Sequence, residues 1–173
     1  DPDEKPLPPL SLAVHVDRLW VKPEGSFDDV SGLLQYQNDA WRTLFLDGDM
    51  GAEGHVVLRI LPEGQSRRLS LTSENAGEFL RRFDFYSNMK SGTLELSGTI
   101  DDSQESQPLS GNLEISNYNI IRAPALARML TFVSLTGILD QMKGEEGITF
   151  EKFSSPFSYE NKLVRIHGGE AFG

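Results

Sequence analysis

This 173-residue chain predicts an α+β, mainly β fold: a twisted antiparallel sheet of repeated short strands, a helical insertion and one short helix. Three observations carry that reading. Short runs of alternating apolar and polar residues recur along the chain, the period-two signature of half-buried strands. One run repeats itself: SGTLELS at Ser91 to Ser97 returns as SGNLEIS at Ser110 to Ser116, with VSGLLQY near Ser31 a looser copy. Finally, Asn119 to Phe157 interrupts the strand pattern with an almost unbroken apolar helix signal.

The elements follow in order. Residues 1–9, DPDEKPLPP, are proline-rich and charged and read as a lead-in or linker; residues 10–173 read as a single domain. Leu10, Leu12, Val14 and Val16 alternate with polar or small residues, giving the first strand. Val30 to Tyr36 and Trp41 to Asp47 flank QNDA, and His55 to Leu61 and Arg67 to Leu71 flank PEGQS, which reads as two hairpins. A short helix is expected at about 75–83, capped by Ser73 or Asn75 with Glu78 near its first turn. The two repeat strands come next. In each unit two aliphatic residues share one face while glutamate and serine take the other, so units laid side by side build one greasy and one wet surface.

A helical insertion is expected at about 123–142. Pro124 suits a first turn, and Ala125 to Leu130 are good helix formers without a β-branched run. Gly137 costs about 1 kcal/mol relative to alanine, which favours two packed helical pieces over one rod. On a helical wheel Leu126, Met129 and Val133 take one side and Leu135, Ile138, Leu139 and Met142 the other. A helix apolar all round must be enclosed by protein or meet something greasy. Ile148 to Phe153 and Phe157 to Ile166, the latter broken near Glu160 to Lys162, read as two more strands or a hairpin, for a sheet of about eight or nine strands.

Composition narrows the function. Sixteen basic and twenty-six acidic residues leave a net charge of −10, which opposes binding to nucleic acid and repels anionic head groups, so that any membrane contact is expected to be apolar or local. There is no cysteine, hence no disulfide and no thiol chemistry. His15, His55 and His167 lack metal-ligand spacing and read as solvated or strand-face residues. No nucleophile elbow, phosphate loop or zinc-protease pair occurs. Asp47, Asp49 and Glu53 alternate with glycine but match a calcium loop poorly and read as a solvated hairpin connection; Asp101 and Asp102 read as an ordinary polar loop. Phe150, Phe153 and Phe157 suit either a core or a ligand slot, and Arg128 either a phosphate head group or a local acid. No enzyme, metal or cofactor is expected. The closing KLVRIHGGEAFG follows a strand-like run without a cap, which reads as an excerpt of a longer chain.

The segment APALARMLTFVSLTGILDQMKGEEGITFEKFSSPF, with SENAGEFLRRF at Ser73 to Phe83 and the unit GTLELSG, resembles the C-terminal region of AsmA-like proteins, particularly the YhdP-type branch. The likeness covers about 69–172 and is most specific in the helical part. It implies a piece of a long Gram-negative envelope protein, anchored in the inner membrane, whose repeated β-units form a periplasmic groove lined by apolar side chains. Its implied role is non-enzymatic phospholipid transport toward the outer membrane, with phospholipid or another acyl lipid as partner. Leu126, Leu130, Val133, Ile138, Leu139 and Phe150 are the candidate lipid contacts; whether they face the sheet, a lipid or a protein partner stays open. The alternative is a structural or docking module of an envelope assembly, in which the helices plug the sheet.

Overall fold

In the computed structural model of the chain, the described residues are 8–37, 40–121 and 147–172. They form one antiparallel sheet of ten strands, consistent with a mainly β fold: β1 (Leu10–Lys22), β2 (Gly25–Gln37), β3 (Ala40–Asp49), β4 (His55–Glu63), β5 (Ser66–Ser73), β6 (Met89–Asp101), β7 (Leu109–Ile120), β8 (Ile148–Glu160), β9 (Leu163–Ile166) and β10 (Glu170–Phe172). Strands β1 to β8 neighbour one another in chain order, an up-and-down meander, and β9 and β10 both pair with the far edge of β8. Each strand can do so because its apolar residues recur every second position over long runs, the phase being reset at irregularities such as Asp29 and Asn117.

Two expectations need correction. The strands are not uniformly short, since β1, β2, β6 and β8 each run for thirteen residues. The alternation continues through polar positions that looked like ends, because those side chains lie on the wet face. Nor does SSPF break the chain into two strands, for Pro156 sits inside β8 opposite Asn112. Its carbonyl accepts the His167 N–H from the far edge at 2.9 Å, so its missing donor faces that same edge. There β9 ends at Ile166, because the reciprocal bond from position 156 to the His167 carbonyl is the one that proline cannot make. The expected turn at Asn38 and Asp39 and the helical insertion at about 123–142 lie outside the described residues.

The short helix is where its residues put it. The Asn75 side chain accepts the Glu78 N–H at 3.0 Å and starts α1 (Ala76–Arg82). The Glu78 carboxylate turns back to Arg81 and lies 2.7 Å from Arg82 Nε, while Arg82 also donates to the Met50 carbonyl at 2.8 Å. That last bond ties the helix to the β3–β4 connection, which holds a 3₁₀ turn (Gly51–Glu53).

One face of the sheet carries the core. Phe27, Val30, Met50, Ala76, Phe79, Leu94, Ile115 and Tyr118 form its buried centre, with α1 laid across it. Helix α1 reaches β6 on one side and β2 on the other, strands that are not neighbours, so the sheet curls beneath it. Close approach at β2 requires Gly25, where a Cβ would stand 2.1 Å from the Arg82 carbonyl oxygen. Tyr118 joins Ile115 in the core although three positions separate them. Asn117, at φ 55°, breaks the strict alternation between the two.

Candidate functional site

Residues opposite each other in an antiparallel register share a face. Leu46 faces Leu58, Leu58 faces Leu71, Leu71 faces Leu96 and Leu96 faces Leu113, a line of leucines across five strands. Two positions along, Leu12, Leu34, Leu44, Ile60 and Leu69 make a second line, which Gly98, Gly111 and Phe157 carry onward to β8. The leucines of the first line are half-buried rather than sealed. Where this floor meets α1 it deepens into a cleft of about 220 Å³ between Leu46, Val56, Leu58 and Leu71 on one side and Phe27, Phe79 and Phe83 on the other. Apart from Asp47 and Gly48, the residues lining the cleft are all apolar.

Beyond the second line, two positions further along the strands, the floor ends in charge. Arg67 occupies the same face of β5 as Leu69 and Leu71, yet its side chain is only 7% exposed. It is fully occupied: Nε lies 2.9 Å from Asp102 Oδ1, Nη1 donates to the Trp41 carbonyl at 2.8 Å, and Nη2 donates to Gln107 Oε1 at 2.9 Å. Asp102 is as buried as its partner, and its second oxygen accepts from Arg42 Nη1 at 2.5 Å. Arg42 stands two positions from Leu44 on β3 and keeps 29% of its side chain exposed. It borders a wide hollow of about 830 Å³ together with Tyr36, Thr43, Gln65, Asp102 and Ser103. The expectation of an ordinary polar loop therefore fails at Asp102, which is the carboxylate on which the two arginines close.

The opposite face is wet. Glu95 stands opposite Thr72 and Glu114, and Glu114 pairs with Lys152 at 2.8 Å. The Arg59 guanidinium lies over the Phe45 ring at 5.4 Å. On this face His55 is held between two carboxylates, Nδ1 at 2.8 Å from Asp49 and Nε2 at 3.2 Å from Asp47. The hydrogen bond to Asp49 raises the imidazole above its ordinary pKa; partial burial opposes this, and Asp47 adds to the rise. Asp47 and Asp49 keep 35% and 48% of their side chains exposed, so the expected solvated connection also carries this contact with His55.

The three histidines stay apart, His15 beside Ser31 and His167 beside Ser158. Among the described residues, no group of three or more histidine, aspartate or glutamate side chains is placed to hold a metal. No helix among them is long and apolar enough to cross a membrane. Of the candidate lipid contacts, Phe150 stacks on Tyr118 at 5.2 Å against the core. Leu126, Leu130, Val133, Ile138 and Leu139, like Arg128, lie outside the described residues. Sequence reading missed the Arg42–Asp102–Arg67 cluster, although one signal was there: Arg67 falls in the apolar phase of its strand, where a charge demands a buried partner. Compared with known proteins, the chain matches no family model, no curated protein and no solved structure.

Proposed function

We propose that this chain is a non-enzymatic segment that binds and conducts acyl lipid. In this reading it is part of an inner-membrane-anchored envelope protein that serves the outer membrane across the periplasm, as its resemblance to AsmA-like proteins implies. The supporting observation is the half-buried leucine floor that runs on one face from β3 to β7 and deepens into an apolar cleft under α1. Strands about 4.8 Å apart give a second line running from β1 to β8 a contour of about 34 Å, longer than one leaflet's share, about 15 Å, of a bilayer's hydrocarbon. An acyl chain laid there gains about 0.8 kcal/mol per buried methylene, without any covalent chemistry. The wet outer face, with its glutamates and serines, suits an aqueous compartment. Release then needs only that the floor hold the chain loosely.

Native mass spectrometry of protein purified from bacterial membranes, paired with uptake of a fluorescent fatty-acyl probe, tests this reading. Co-purified phospholipid and saturable uptake, both lowered by Leu58→Asp, are expected; neither lipid nor uptake in the unaltered protein overturns it. A second reading, a docking module plugged by 123–142, draws support from α1, which already fills one end of the face with Phe79 and Phe83. Under that reading Leu130→Asp and Leu139→Asp unfold the domain, and no probe binds before or after.

A further inference from the structure

We propose that the charged end of the leucine floor is a head-group site, and that the lipid it selects is anionic, carrying a phosphate beside its acyl chains. This rests on the acyl-lipid reading above and adds to it a polarity and a specificity. Two guanidinium groups, Arg42 and Arg67, close on the single carboxylate of Asp102, which leaves one positive charge over in a chain of net charge −10. Of the neighbouring acids, Glu63 is engaged by Arg68 at 2.5 Å, while Asp101, held by Ser103 and Gln104, keeps its charge but does not line the hollow.

The excess sits on Arg42 rather than Arg67. All three guanidinium nitrogens of Arg67 are hydrogen-bonded, whereas among the described residues Arg42 makes one hydrogen bond, through Nη1 to Asp102. Among the described residues its Nε and Nη2 remain as donors on a side chain that lines the hollow, the planar fork that recognises a phosphate. Asp102 holds the fork in place, so little side-chain freedom is lost when an anion arrives. The hollow also offers the Thr43 hydroxyl and the Gln65 amide. What identifies the occupant as a lipid, not a free anion, is continuity: Leu44 follows Arg42 closely on β3, Arg42 reaches Asp102 beside Arg67 at the end of the face that carries Leu69, and Ile60 lies opposite Leu44. A molecule with its phosphate on Arg42 meets Leu44 next and turns there to lay its chains across the strands on the second leucine line.

The test uses two fluorescent probes with identical acyl chains, phosphatidic acid and diacylglycerol, titrated into the full chain. Phosphatidic acid should bind about tenfold tighter, the difference one charge-assisted contact supplies. Arg42→Gln should abolish that preference and leave diacylglycerol affinity unchanged, which also reports that the floor is folded. Arg42→Lys should keep part of it. Gln65→Glu, at an exposed turn, should lower phosphatidic acid affinity by repulsion without touching the arginine pair. Equal affinities in the unaltered protein, or a preference that survives Arg42→Gln and Gln65→Glu, overturn the head-group site while acyl binding stands. Binding of neither probe overturns the acyl-lipid reading itself. Inorganic phosphate alone binding as tightly as phosphatidic acid overturns the lipid assignment in favour of a free-anion site.

Discussion

Arg67 and Asp102 are thirty-five positions apart in the chain, yet their side chains, each less than a tenth exposed, meet at 2.8 Å between Nη2 and Oδ1. The contact closes one end of the apolar face. Removing one partner leaves the other as an uncompensated buried charge, so Asp102→Ala should cost about 3–5 kcal/mol of stability. A paired replacement, Arg67→Met with Asp102→Leu, should cost less than Arg67→Met and Asp102→Leu summed, because the two deeply buried charges leave together and only the part-exposed Arg42 loses its carboxylate. Urea denaturation of the four variants measures the difference.

Gly111 should tolerate no side chain, although its backbone is not in the left-handed region. A Cβ there would stand 2.1 Å from the Ser97 carbonyl oxygen and 2.8 Å from Gly98 Cα, so β6 and β7 would have to separate. Gly64, in the β4–β5 turn, is the contrast: its φ is 64°, and a methyl group added there would have nothing within 4 Å. Gly64→Ala should therefore cost about 1–2 kcal/mol from backbone conformation alone. Gly111→Ala should cost more, and thermal unfolding of both variants checks the order.

His55 should make stability depend on pH in a definite direction. Its imidazole is raised above the ordinary value, first by Asp49, so the folded state holds its proton more tightly than the unfolded chain does. The contribution is complete below the unfolded pKa of about 6.5 and is lost as pH rises through the folded value. His55→Gln should accordingly lower the urea midpoint at pH 5.5 and change it little at pH 9. Equal losses at the two pH values would refute the ion-pair account. Because His55 is more than a third exposed, solvent screening keeps the effect small.

Glu78 titrates in the opposite sense. Burial alone would raise its carboxyl, but hydrogen bonds and charge from Arg81 and Arg82 outweigh that and hold it below the ordinary range. Its contribution is present above the unfolded value of about 4.3 and fades as pH falls through the folded one. Glu78→Gln should destabilise at pH 7 and much less at pH 3. Asn75→Ala, which removes the cap at the same end of α1, should cost about 1 kcal/mol at either pH. Denaturant titrations at the two pH values distinguish these outcomes.

Much of the fold was legible along the chain because its signals are short-ranged. Alternation in Leu10 to Val16, the repeated SGxLE unit and the Asn75 cap each involve residues within a few positions of one another, and each marks an element that is present. Strand lengths were read too short, since the polar outward residues of β1, β6 and β8 look like ends until a neighbour strand shows which face they occupy. The break expected before Phe157 failed for a similar reason. Whether Pro156 interrupts a ladder depends on which edge its nitrogen faces, and that is set by β9 and β10.

By itself, the order of residues determined that this protein is mainly β, that its sheet has one apolar and one polar surface, and where its short helix begins. Periodicity and capping are properties of neighbours in the chain, and they survive whatever the rest of the molecule does. Only the tertiary structure decided that Arg42, Arg67 and Asp102 meet, that β2 and β6 curl together under α1, and that the leucines of five strands fall into one line. Those facts depend on register between strands far apart in sequence, where a shift of one residue would send every leucine to the water.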